Sequence, residues 1–299
     1  MLVFQQVLIL LFFIAIGYFL SKCGKLNAGQ SKILSSLLVN VFLPCSALKA
    51  FSGNFTVTYL KENYVLVTTS VAVFLCLGFL AFFASKLFSK EKYMQRVYEY
   101  SMVIPNIGYM GYPLVLGLYG SAGLLNFMMF GIPANLYIYG YGYPFLTKTK
   151  AGWKALCNPS ILAMAAGMII GLSGIELPKL ATDILEKANN CVGPVSMLLT
   201  GIVISEYQFG QILREPRVYI ITALRLLLIP LTVGGILSLF ASKEVLRMAV
   251  LMLALPCGLN TVVFSKLVNE NCKVGAGIAL VSHVVACISI PFVVWLFKL

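Results

Sequence analysis

Apolar residues fill long stretches of this chain, at about 2–21, 31–52, 64–88, 97–118, 124–146, 158–175, 188–206, 217–240, 246–267 and 274–297, separated by short polar connections. Each stretch is close to the roughly 20 residues that a helix needs to cross a bilayer. The pattern predicts an all-α membrane protein of ten spans with no soluble domain between them. No basic residue precedes the first apolar stretch, so it is expected to be retained as a span and not cleaved as a signal peptide.

Two of the ten stretches are interrupted in the same way. Pro105-Asn106-Ile107-Gly108 breaks the fourth and Pro256-Cys257-Gly258-Leu259-Asn260 breaks the ninth, with the two prolines 151 residues apart in a chain of 299. Proline removes a backbone donor and pushes on the preceding turn, freeing polar backbone at a depth where lipid cannot satisfy it. Broken helices in corresponding positions of two halves point to a midplane substrate site. At an offset of 150, Asn40 and Pro44 in span two also match Asn190 and Pro194 in span seven, and Gly17 in span one matches Gly167 in span six. Five spans per half is an odd number, so the halves are expected to be inverted repeats, 1–146 and 158–299, joined by a cytoplasmic connection at 147–157. Spans four and nine would then cross, and the N-termini of their second halves, rich in exposed N–H groups, would suit an anion.

Composition sharpens this picture. Hydrophobic residues make up 60% of the chain and charged residues 11%, so its solvent is lipid. A net charge of +12 would suggest nucleic acid in a soluble protein, but its distribution argues otherwise. Fourteen of the 22 basic residues fall in or beside the odd-numbered connections. The positive-inside bias then places those connections in the cytoplasm and both termini outside the cytoplasmic (plasma) membrane. The expected partners are the bilayer and a small substrate, with no nucleic acid. The eight cysteines contain no C-x-x-C pair, and we expect free thiols, no metal and no cofactor.

The motifs Pro105-Asn106-Ile107-Gly108-Tyr109-Met110-Gly111-Tyr112-Pro113-Leu114 and Leu255-Pro256-Cys257-Gly258-Leu259-Asn260-Thr261-Val262-Val263-Phe264-Ser265-Lys266 resemble those of the fourth and ninth spans of the auxin efflux carrier family. Chain length, span count, outward termini and Pro44 agree with the resemblance. It implies a ten-helix inverted-repeat fold similar to that of sodium/proton antiporters and bile-acid symporters. Spans 1, 2, 6 and 7 would form a scaffold, and spans 3–5 and 8–10 a transport domain that moves elevator-fashion. It further implies a homodimer that carries organic anions. The short middle connection is similar to that of compact microbial members, which include proposed malonate and malate carriers, so the resemblance does not carry auxin specificity over to this chain.

Within the breaks, Asn106 and Asn260 are the first candidates for substrate binding, because each amide offers two donors and an acceptor beside freed backbone. Pro105, Ile107, Gly108, Pro256, Gly258, Leu259 and Thr261 complete the candidate surface, with Gly108 and Gly258 permitting close backbone approach. His283, the one histidine, falls in the middle of span ten, where an ionisable group is a functional hypothesis; its alternative is a neutral hydrogen bond between helices. Asn40 is placed to satisfy the kink at Pro44, or to line the site from the scaffold. Arg225 lies inside span eight, where it could attract an anion, snorkel to the interface or pair with Glu206. The tyrosines at 137, 139, 141 and 143 are expected to form an interfacial belt.

No acidic residue lies in either break, which argues against a cation/proton antiporter. No Walker-type phosphate loop, H-E-x-x-H or G-x-S-x-G is present, so the chain is expected to be a secondary carrier and not an enzyme. Its rivals are a sodium- or proton-coupled anion symporter and a membrane sensor that binds ligand without transport.

Overall fold

The structure, a computed structural model, describes residues 2–26, 28–149, 158–206, 214–268 and 273–299. The described residues are helical throughout, with no strand beyond one isolated antiparallel bridge. Seven of their helices are long and apolar enough to cross a membrane: Val3–Lys22, Gln30–Asn54, Val57–Phe88, Ile107–Phe130, Lys179–Ser205, Pro216–Leu237 and Lys273–Leu296. Pro159–Ser173 is a shorter apolar helix. The stretches expected as spans four, five and nine are each divided into shorter pieces. Most of the expected connection at 147–157, together with Cys157 and Cys272, lies outside the described residues.

In chain order the helices are α1 (Leu2–Lys22), α2 (Ala28–Leu37), α3 (Leu43–Asn54), α4 (Val57–Phe88), α5 (Lys92–Val103), α6 (Tyr112–Phe130), α7 (Ile132–Tyr137) and α8 (Tyr143–Leu146). They continue with α9 (Pro159–Ser173), α10 (Lys179–Ser205), α11 (Pro216–Ala223), α12 (Ile229–Leu237), α13 (Lys243–Ala254), α14 (Asn260–Leu267) and α15 (Lys273–Leu296). Gly120, at φ 65° and ψ −164°, breaks α6 by adopting a backbone conformation that residues with a Cβ rarely take. This kink falls between the stretches expected as spans four and five.

Four single-turn π segments join α2 to α3, precede α6, join α7 to α8 and join α11 to α12. They are Leu38–Phe42, Ile107–Gly111, Ile138–Gly142 and Leu224–Leu228. Each is followed, after one intervening residue, by a proline: Pro44, Pro113, Pro144 and Pro230. The spacing has a steric cause. A proline ring presses on the carbonyl four residues back and offers it no N–H, and widening the preceding turn relieves both faults without ending the helix. The carbonyl freed by Pro113 is that of Tyr109, and it accepts a 2.7 Å hydrogen bond from Ser196 Oγ.

The chain forms two compact units. The first comprises residues 1–65, 108–129 and 156–206. Here α1 packs on α10, and α9 packs on α3. Gly17 meets the backbone of Leu198 in the first contact, and Gly167 meets Phe51 and Leu48 in the second. The two glycines that match at an offset of 150 thus hold the same place in two similar helix contacts, as small residues do in membranes. A Cβ at Gly167 would lie 2.8 Å from Phe51 Cβ and 3.0 Å from Leu48 O. Gly167→Val is therefore expected to destabilise the protein by about 1–3 kcal/mol through overpacking. A fall in melting temperature in detergent would register this, whereas an unchanged melt would refute the tight contact.

This unit also holds a partly open pocket of about 200 Å³ lined mostly by apolar groups, with Gln6, Ser46, Tyr112, Asn189 and Asn190 contributing polar atoms. Ser46 Oγ donates to Asn189 Oδ1 at 2.6 Å. The second unit comprises residues 66–107, 130–155 and 207–299. Its core is built around α13 and α15, and every residue from Met248 to Leu259 is buried.

Candidate functional site

The site lies in the second unit and begins where α5 and α13 stop short of crossing the apolar layer. After Val103 the chain becomes extended at Ile104 (φ −100°, ψ 116°), and after Ala254 it becomes extended at Leu255 (φ −66°, ψ 150°). The two unwound stretches pair antiparallel at Pro105 and Cys257. Asn106 N–H donates to Pro256 O at 2.8 Å, and Gly258 N–H donates to Ile104 O at 3.2 Å. Each break thereby satisfies polar groups of the other at a depth where lipid offers no partner.

The remaining freed backbone is satisfied by neighbouring side chains. Cys257 N–H donates to Ser282 Oγ of α15 at 3.0 Å. Cys257 Sγ donates at 3.2 Å to Ser101 O, the carbonyl four residues before Pro105. Met252 O, four residues before Pro256, accepts from Arg225 Nη2 at 3.2 Å, and Met102 O accepts from Arg225 Nη1 at 3.4 Å.

The candidate amides each have an aromatic partner. Asn106 is 4% exposed, and its Nδ2 lies 2.8 Å from His283 Nε2. His283 Nδ1 lies 2.6 Å from Ala279 O. A neutral ring satisfies both contacts when Nδ1 carries the proton and donates to the carbonyl, leaving Nε2 to accept from the Asn106 amide. Asn260 opens α14, and its Nδ2 donates to Tyr100 Oη at 2.9 Å. Both asparagines therefore have an oriented amide in place of one free to rotate.

The structure brings Pro105, Asn106, Ile107, Pro256, Gly258, Leu259, Asn260 and Thr261 into the second unit together with His283 and Arg225. Ile107, Leu259 and Thr261 are almost fully buried. The nearest atom to a Cβ at Gly258 would be Pro105 O at 3.4 Å, so the crossing does not itself require glycine there. Gly108 falls in the first unit, where a Cβ would meet only Leu43 at 3.4 Å. Asn40 is exposed in that unit and donates to Ser36 O at 2.9 Å, one turn back.

Two expectations are corrected. Arg225 neither snorkels nor pairs with Glu206: it is 0% exposed, held in the π turn between α11 and α12, while Glu206 in the first unit accepts from Ser31 Oγ at 3.1 Å. Nor do the tyrosines form a simple belt. Tyr137 Oη donates at 2.9 Å to Oε1 of buried Glu99, whose Oε2 pairs with Arg96 Nη1 at 2.9 Å. The exposed Tyr141 hydrogen-bonds Arg96, and Tyr143 packs edge-on against Phe264. A period of two places no helical face; the π turn at Ile138–Gly142 resets the spacing.

Sequence reasoning missed Tyr100, Ser101 and Ser282. The carbonyl freed by Pro105 gave a route to Ser101, since it lies four residues back. Tyr100 and Ser282 carry no such local mark, because their roles arise from contacts between distant segments.

No group of three or more histidine, cysteine or acidic side chains that could hold a metal ion occurs among the described residues. The crossing offers amides, backbone dipoles and a guanidinium.

Comparison with known proteins shows the family. The chain is 27% identical over 213 residues to an uncharacterized transporter of Methanocaldococcus jannaschii, covering 67% of this chain and 68% of that protein. It is 21% identical over 300 residues to an uncharacterized transporter of Methanothermobacter thermautotrophicus, covering 96% of each. The membrane transport protein family matches residues 2–152 and again 144–294, so that nearly the whole chain is accounted for. A multi-pass helical protein with paired breaks at Pro105 and Pro256, matched along its length in this way, belongs to the membrane transport protein (auxin efflux carrier) family.

Proposed function

We propose that this membrane transporter is a secondary carrier of small organic anions, carboxylates such as malonate, malate or auxin-like acids, across the cytoplasmic membrane. The observation that carries the reading is the antiparallel pairing of Pro105 with Cys257, which gathers the Asn106 and Asn260 amides and buried Arg225 into one unit. Of the acidic side chains described in that unit, Glu99 is engaged with Arg96 and Tyr137, Glu215 with Arg217 and Glu244 with Arg247, while Glu91 is exposed before α5. A site with donors and, among the described residues, no competing carboxylate favours an anion. An inside-negative potential would drive such an anion outward by about 2.3 kcal/mol per charge per 100 mV.

In this reading the protein has ten spans in two inverted repeats, with both termini outside. The matched contacts of Gly17 and Gly167 support the repeat. Spans 3–5 and 8–10 would carry the substrate past a scaffold of spans 1, 2, 6 and 7 in an elevator-like motion, and the protein would act as a homodimer. Most of spans 3, 5 and 8–10 group in the second unit, which supports that division; residues 108–129, which include the second part of span four and the start of span five, group in the first.

The test is uptake of labelled malonate, malate and indole-3-acetate into proteoliposomes preloaded with the same acid, beside the uncharged diamide of malonate. Uptake of at least one acid and not of the diamide is expected. Binding without uptake would turn the reading to a sensor.

Proton-coupled symport is the second reading, favoured by the 2.8 Å contact between His283 Nε2 and Asn106 Nδ2. A protonated ring must donate at Nε2, which requires the Asn106 amide to turn its oxygen inward and present its NH₂ elsewhere. Under this reading His283→Gln uncouples uptake from an imposed pH gradient. Uptake in that variant that still follows the gradient as in the wild type would dismiss it.

A further inference from the structure

Arg225 is placed where two helix ends meet. It is fully buried, and among the described residues no carboxylate pairs with it. Its Nη1 and Nη2 donate to Met102 O and Met252 O, while its buried Nε has no hydrogen-bond partner. A lone buried guanidinium of this kind would ordinarily be very unfavourable. The two carbonyls it holds explain its presence. Met102 lies in the last turn of α5 and Met252 in the last turn of α13, so both are carbonyls that the breaks leave without an intrahelical partner. Each helix C-terminus carries about half a negative elementary charge. Two of them facing one point amount to about one negative charge, the quantity that one guanidinium balances.

We propose that Arg225 is the fixed countercharge of the crossing and thereby sets the sign of the ion that the site accepts. It is a positioning residue: it holds the carbonyl ends of α5 and α13 and does not itself contact the cargo. With those ends neutralised, the charge left at the crossing is the positive end of α14, which starts at Asn260. An anion can then approach the Asn106 and Asn260 amides. Without Arg225, the two carbonyl ends would repel a carboxylate and would offer oxygen ligands to a cation. The π turn at Leu224–Leu228 serves this placement by letting the residue leave the regular helical register in the middle of a span.

The inference rests on the proposed anion site, and its test separates the two. Thermal stabilisation of the purified protein in detergent is titrated with sodium malonate, choline malonate and sodium chloride, for wild type, Arg225→Lys and Arg225→Gln. Wild type and Arg225→Lys are expected to respond to malonate with either cation, with apparent affinities within about threefold of each other. Folded Arg225→Gln is expected to lose malonate affinity at least tenfold and to gain a stabilisation by sodium over choline that the other two lack. A merely structural role would lower the melting temperature of Arg225→Gln but leave these ligand responses alone. Malonate affinity in folded Arg225→Gln within twofold of wild type overturns the proposal. If Arg225→Gln does not fold, Arg225→Lys decides: retained malonate affinity supports a countercharge, and a tenfold loss in folded protein overturns it. If wild type responds to no carboxylate, the anion reading fails by itself. The gain of sodium response in Arg225→Gln then still supports the countercharge, and its absence refutes it.

Discussion

Asn106→Ala is expected to lower carboxylate flux by at least about tenfold, and to weaken the fold as well. A hydrogen bond from a neutral donor to a charged group contributes about 1.5–3 kcal/mol, which corresponds to roughly 10- to 100-fold in binding. The same substitution leaves His283 Nε2 buried without its 2.8 Å partner, at a cost of about 1–3 kcal/mol in stability. The two effects separate in a double variant. Asn106→Ala combined with His283→Leu removes both partners of the bond, so the stability loss is expected to shrink while the transport loss remains. Melting temperature and labelled uptake, measured on all four proteins of the cycle, check this. If flux returned with stability in the double variant, the asparagine would be a structural partner of the histidine and not part of the site.

Gly258→Pro is expected to abolish transport and to destabilise the protein by about 3 kcal/mol, whereas Gly258→Ala is expected to be tolerated within about 1 kcal/mol. The contrast isolates one backbone hydrogen bond. Proline at this position deletes the N–H that donates to Ile104 O at 3.2 Å, leaving a buried carbonyl unsatisfied and one of the two rungs of the crossing missing. Alanine keeps the N–H, and its Cβ would meet Pro105 O at 3.4 Å and Ile104 Cγ2 at 3.7 Å, which are ordinary contacts. Gly258 also lies outside the residues whose φ is positive, so a Cβ brings no backbone strain. Expression, melting temperature and uptake distinguish the pair. Equal behaviour of the two variants would show that the rung at Gly258 contributes nothing to the crossing.

The parts of this structure legible in the sequence are those set by local chemistry. The breaks at Pro105 and Pro256 could be read because proline lacks an N–H and because no lipid can replace the lost bond. The pairing of Gly17 with Leu198 and of Gly167 with Phe51 was foreshadowed by a match at an offset of 150, since close helix contact demands small residues at fixed places. Pro44, Pro113, Pro144 and Pro230 were harder to read. Each has the same local effect as the other prolines, but the chain absorbs it by widening one turn and continuing, and nothing nearby in sequence separates a π turn from a break. Span five consequently appears in pieces where the hydropathy pattern suggested a continuous stretch, whereas spans four and nine are divided at the breaks that Pro105 and Pro256 announced.

The candidate site divides in the same manner. Asn106 and Asn260 were identified because an amide beside freed backbone is chemically conspicuous. Their partners, His283 and Tyr100, lie 177 and 160 residues away in sequence, and only the tertiary fold specifies them. Arg225 was noticed as a charge inside a span, yet its role could not be read from span eight alone. What it satisfies are carbonyls on two other helices, one freed by Pro256 and one left at the end of α5. A buried arginine in a membrane invites a search for a carboxylate, and here the compensating charge is carried by backbone.

The central claim is that the paired breaks form an anion site in a carrier. It is tested most directly by charge movement in proteoliposomes on a solid support, challenged in turn with malonate, malate and indole-3-acetate, for wild type, Asn106→Ala and Asn260→Ala. The account predicts a current of the sign of a moving anion for at least one of these acids in the wild type, lost in both variants while each remains folded. A wild-type current that persists undiminished in folded Asn106→Ala and Asn260→Ala would contradict it.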